Sequence, residues 1–187
     1  MKKRLVILFM IGFAILSSAY LAVSKPPAGA AAEFKDYLIP VKQSTMFFEK
    51  KVTMMLITKA ELPARIDENS GWMAGIDIDS NQATGGKWPK IGADYILTVV
   101  SRNGQWAASV KNVKTGVSKN IDGEVMVAGN KVDFSIPLSE LENRTEFKWQ
   151  IAVVSGDNRK ALPDLMTAAK QGQKDANYDD YMKGMKM

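Results

Sequence analysis

The chain has 187 residues, of which 46% are apolar and 24% charged, and it contains neither cysteine nor histidine. That length supports one well-buried domain with an appendage, and the missing residue types exclude Ser-His-Asp and Cys-His catalysis, histidine-held zinc or haem, thiolate clusters and disulfides. The net charge of +5 includes Lys2, Lys3 and Arg4; the rest of the chain is nearly balanced, so no nucleic acid partner is expected.

Lys2 to Arg4, the apolar run Leu5 to Leu16 and then Ser17, Ser18 and Ala19 have the tripartite order of a secretory signal peptide. They predict a secreted, periplasmic or cell-envelope protein. Small residues allow cleavage after Ala19, Ser24, Ala30 or Ala32, so the leader is read as residues 1–24, extending at most to 32. The alternative is an uncleaved anchor, because Leu5 to Val23 approaches the roughly 20 residues that span a bilayer. The membrane is an expected partner only in that case. Residues 25–50 read as a linker and lead-in.

From Val52 onward, short apolar stretches alternate with turn signals, and no amphipathic stretch is long enough for a central helix before the last thirty or so residues. This rhythm predicts an all-β fold, an antiparallel, jelly-roll-like β-sandwich over residues 51–164. The predicted strands are Val52 to Thr58, Trp72 to Asp79, Asp94 to Ser101, Gln105 to Asn112, Glu124 to Val127, Lys131 to Pro137 and Phe147 to Ser155. Asn103-Gly104, Asp122-Gly123 and Gly129-Asn130 supply turns, and Thr84-Gly85-Gly86 interrupts any ladder. Alternation puts Val132, Phe134, Ile136 and Leu138 on one face of their strand. The same reasoning puts Trp149, Ile151 and Val153, and Trp72, Ala74, Ile76 and Ile78, toward the core. Beyond Pro163 the composition turns to Ala, Lys, Gln and Asp, with Met182, Met185 and Met187 near the end. Residues 165–187 read as a short C-terminal helix followed by a disordered tail.

The segment Asp77-Ile78-Asp79-Ser80-Asn81, followed by Gly92-Ala93-Asp94, carries the chemistry. Strand alternation places Asp77, Asp79 and Asn81 on the face opposite Ile76. Carboxylates about 7 Å apart on a part-buried face repel unless a cation or a basic side chain neutralises them. Oxygen donors at this spacing suit calcium. An EF-hand loop is excluded, because Gln82 stands where that loop needs glycine and Trp88 where it needs a bidentate glutamate. The site must be completed from elsewhere in the fold, and Asp94 on the returning strand is the natural donor. Pairing of the acids with lysines, without metal, is the alternative.

These residues, Asp77 to Gly85 with Gly92-Ala93-Asp94-Tyr95, resemble the signature of exported sandwich domains related to the family 9 carbohydrate-binding modules. Leu62-Pro63, Phe134 to Ser139, Trp149 and Leu162-Pro163-Asp164 follow in the order seen in those domains. The resemblance, over roughly Val52 to Asp164, implies a calcium-containing antiparallel sandwich with Asp77, Asp79, Asn81 and Asp94 near its metal, and binding of a polysaccharide or envelope component. The alternative role is a structural or protein-interaction module in which calcium only stabilises the fold.

Sugar binding requires exposed flat rings. Trp72 and Trp149 lie in the core-facing sets, which leaves Trp88, between two lysines in the Gly85 to Gly92 loop, and Trp106, after the Asn103-Gly104 turn, as the ligand-stacking candidates. A capping role over a sheet end fits each of them as well. Enzymatic function is not expected: neighbouring acids on one strand flank no scissile bond, and no nucleophile stands beside a base. A haem or electron-transfer domain would have to use methionine or lysine as axial ligands and has no Cys-x-x-Cys-His attachment motif.

Overall fold

The computed structural model describes residues 33–168. In chain order its strands are β1 (Pro40–Phe48), β2 (Lys51–Thr58), β3 (Ser70–Asp77), β4 (Gly86–Lys87), β5 (Gly92–Ala93), β6 (Tyr95–Arg102), β7 (Gln105–Asn112), β8 (Ser118–Asn120), β9 (Val125–Ala128), β10 (Lys131–Pro137), β11 (Lys148–Ser155), β12 (Asn158–Ala161) and β13 (Met166–Thr167). One sheet has the order β1-β2-β10-β9; the other runs β12-β11-β3-β6-β7-β8, with β13 paired to β11 and β4-β5 forming a small separate hairpin. All pairings described are antiparallel.

The period-2 pattern dictates which side faces in. Val52, Met54 and Leu56 of β2 and Val132, Phe134 and Ile136 of β10 join Trp72, Ala74 and Ile76 of β3, Leu97 and Val99 of β6 and Trp149, Ile151 and Val153 of β11 in one buried cluster. That shared core makes the two sheets a β-sandwich. Burying each Val, Leu, Ile, Phe or Met side chain among these stabilises the fold by roughly 1.5–3 kcal/mol relative to exposure. The 3-10 turn Asp36–Leu38 closes one end, where the Trp72 indole N–H donates to the Leu38 carbonyl at 2.8 Å.

All seven strands expected from the sequence are present within two residues of their expected ends. Two expectations need correction. Residues 40–48, read as lead-in, form β1, which pairs along its length with β2. Its inward position 45 and its outward position 44 are threonine and serine, both buried, so the polar run Gln43-Ser44-Thr45 hides the alternation. The turn into β2 uses Glu49 at φ 52° instead of a glycine. The helix expected from residue 165 is not formed where the chain is described: Met166–Thr167 is a strand on β11, and the Ala168 N–H donates to the Phe147 carbonyl at 2.8 Å. Pairing with an open sheet position satisfies backbone groups that a short helix of this composition would leave at its ends. The remainder of that tail, and the leader with its cleavage or anchoring, lie outside the described residues. Among the described residues no helix is long and apolar enough to cross a membrane.

Candidate metal centre

β3 ends at Asp77, and the chain leaves the sheet through Ser80 at φ 58°. Asp79 and Asn81 therefore stand in the turn, not on a continuing strand. The returning segment is tied back at once: the Asp94 N–H donates to the Ile76 carbonyl at 2.8 Å, and Asp94 Oδ2 accepts the Ile78 N–H at 2.9 Å. These two bonds bring Asp94 beside Asp77. One carboxylate oxygen from each of Asp77, Asp79 and Asp94 lies within 4.8 Å of the others. An ion ~2.4 Å from each oxygen accommodates separations up to ~4.8 Å, the diameter of its coordination sphere.

The three acids differ in environment. Asp77 is 2% exposed, and its Oδ1 is buried without a hydrogen-bond partner. Asp79 is exposed and well solvated by protein donors: its Oδ1 accepts the Asn81 N–H at 2.9 Å, and the Thr84 hydroxyl lies 3.1–3.2 Å from both of its oxygens. The Asn81 N–H above all, then Thr84 and Asp77, and lastly the charge of Arg144, hold the Asp79 carboxyl below its ordinary range, against a smaller opposing effect of burial. Asp94 moves the other way. Burial raises it most, the charges of Asp79 and Asp77 raise it further, and the Ile78 N–H opposes. The ion pairs Lys51–Glu124, Lys59–Asp36 and Lys119–Glu140 involve none of the three acids.

Asn81 is placed next to the cluster with its side chain already engaged. Its Oδ1 accepts the Ala83 N–H at 3.1 Å, leaving one lone pair, and its carbonyl accepts from the Thr84 hydroxyl at 2.9 Å. Glycines let the loop close this tightly. A Cβ on Gly92 would stand 2.0 Å from the Thr84 carbonyl oxygen and 2.5 Å from that of Asn81. A Cβ on Gly85, at φ 69°, would lie 2.4 Å from the Ala93 oxygen.

The two ligand-stacking candidates are separated from each other. Trp88 folds back over the outer face of β3, where a Cβ on Gly75 would sit 2.7 Å from its ring; its Nε1 is buried without a partner. Trp106 stacks on Trp72, with ring centroids 5.5 Å apart and planes at 28°. It also lines a groove of about 350 Å³ with Leu62, Pro63, Ala64, Ile66 and Val127. Trp72 and Trp149 are core residues, as their strand positions require. Thr84 and Arg144 escape a reading by residue type, the first because its role comes from the turn and the second because it is distant in sequence. Gly75, alone in the middle of an apolar strand, carries the sequence-level sign of a close approach.

No family model, curated protein or solved structure matches this chain.

Proposed function

We propose that this chain is an exported, non-enzymatic, jelly-roll-like β-sandwich module of the kind related to family 9 carbohydrate-binding modules, in which one calcium ion held by Asp77, Asp79 and Asp94, with Asn81 beside them, staples the β3–β6 connection. The observation that carries the reading is the buried Asp77 Oδ1 without a partner, set within 4.8 Å of two further carboxylate oxygens. An acid in that position is costly to fold unless a cation completes it. Calcium fits the donor set, which is all oxygen and offers no nitrogen or sulfur. The ion then does the work that disulfides do in other exported domains, since its binding free energy is added to the folded state.

The test is thermal unfolding in chelator and in calcium. At a free concentration 100 times the Kd, calcium adds ~2.7 kcal/mol to stability, read as a rise in melting temperature. An unchanged melting temperature makes the acids an ordinary solvated cluster and removes the reading.

A second activity, binding of a polysaccharide or envelope glycan, is supported by the Trp106 groove. Its mixed lining, with Trp106 beside Leu62 and Pro63 and with Ser101 and Gln105 as polar groups, suits the apolar face and the hydroxyls of a pyranose, whereas the Trp88 ring already lies against Gly75. Retention on insoluble polysaccharides that is lost in Trp106→Ala and kept in Trp88→Ala supports it. Failure to bind any glycan leaves a structural or protein-interaction module.

A further inference from the structure

Trp88 and the acid cluster belong to one hairpin. Its two strands, β4 and β5, pair Gly86 with Ala93 and Lys87 with Gly92, so Trp88 is the first residue of the tip and Asp94 directly follows β5. The opposite flank is packed on the turn that follows β3: Gly92 abuts the carbonyls of Asn81 and Thr84, and Thr84 in turn binds Asp79. The hairpin lies over the outer face of β3, with Asp77 under its base and Gly75, two residues earlier on the same face, under its tryptophan. Lys90 extends the fastening to β11. Its ammonium donates to the Pro163 carbonyl, while the neighbouring Leu162 carbonyl accepts from Gln150, the residue paired with Gly75 on that strand.

A short hairpin attached at both ends of its underside couples a shift at one end to a shift at the other. We propose that Trp88, seated on Gly75, is a positioning residue for the cation: it presses the hairpin onto β3 and so holds Asp79 and Asp94 at the distance from Asp77 that one ion requires. The inference rests on the cation reading above. The seat exists because residue 75 has no side chain, and it holds although the indole N–H is buried without an acceptor; the ring stays for the contact its face makes with the backbone. Linkage makes the effect reciprocal. If the seat strengthens cation binding by a given factor, the cation strengthens the seat by the same factor.

The experiment titrates calcium alone into chelator-stripped protein, with affinity from calorimetry and the Trp88 signal taken as the emission of the wild type minus that of Trp88→Phe. The expected result is a Trp88 emission change, with reduced acrylamide quenching, whose midpoint coincides with the calorimetric one. Trp88→Ala weakens calcium about tenfold, Trp88→Phe restores most of that loss, and Lys90→Met, which leaves the ring and the acids in place, weakens calcium by a smaller factor and serves if Trp88→Ala fails to fold. Equal calcium affinity in wild type, Trp88→Ala and Lys90→Met overturns the inference and leaves the cation site standing. Absence of calcium binding to the wild type overturns the cation reading itself and this inference with it.

Discussion

On the inner face of β3, Trp72, Ala74 and Ile76 are each no more than 1% exposed and pack against both sheets. On the outer face of the same strand, Gly75 lies under the Trp88 ring and Asp77 meets Asp79 and Asp94. One face is held by apolar area, whose burial involves neither charge nor a bound ion. The other gathers three carboxylates, whose mutual repulsion a cation from solution would relieve in the proposed function. Alternation along a single strand thus assigns permanent stability to one side and conditional stability to the other, and the proposed function lives on the conditional side.

The largest effect tests the permanent side. Trp72→Ala removes a fully buried ring, its stack with Trp106 and its bond to Leu38, and is expected to cost ~3–5 kcal/mol. Urea unfolding will show that loss to be the same in calcium and in chelator. A loss that depends on calcium would mean the two faces are not separate. A smaller effect separates charge effects from the cation. Asp133, on the outer face of the four-stranded sheet opposite Met55, has its carboxyl pushed up to about 6 by burial, partly opposed by Lys131. Because the folded state holds this proton more tightly than the unfolded chain does, the stability this carboxyl contributes is fully present below about pH 4 and is lost as pH rises through about 6. After discounting for partial solvation the decline is ~1–2 kcal/mol. Asp133→Asn should abolish it, giving a variant of equal stability near pH 3.5 and greater stability at pH 7; parallel pH profiles would contradict the assignment. The smallest effect is that of Thr84→Val, which deletes the hydroxyl bonded to Asp79 and to the Asn81 carbonyl. It should cost ~0.5–1 kcal/mol in chelator and weaken calcium, because Asp79 loses its orientation; an unaltered calcium midpoint would show that the turn needs no hydroxyl.

Strands with clean alternation and glycine-marked turns, such as β7 between Gly104 and Asn112 and β10 after Gly129, are legible from the residues alone, because burial on one face imposes the pattern directly. β1 is not legible. Its buried centre is polar and its turn takes a positive φ at a glutamate, so neither composition nor punctuation marks it. For the site, the grouping of Asp77, Asp79 and Asp94 is readable because a hairpin must return beside its first strand. What strand periodicity misses is that Ser80 turns the chain, so Asp79 reaches the cluster from a loop through the Asn81 N–H and Thr84. The fate of Trp88 is legible only in retrospect. An indole in a loop has many surfaces to rest on, and the choice was made by Gly75, distant in type and role from any binding motif.

The central claim is that the buried Asp77 oxygen is completed by a divalent cation. Calorimetric titration of calcium into chelator-stripped protein tests it most directly, comparing wild type with Asp77→Asn at equal fold content. The account predicts one ion per chain for the wild type and at least a hundredfold weaker binding for Asp77→Asn, on the ~3 kcal/mol scale of losing a buried charged partner. Calcium binding of equal strength in the two proteins, or none in the wild type, would contradict it.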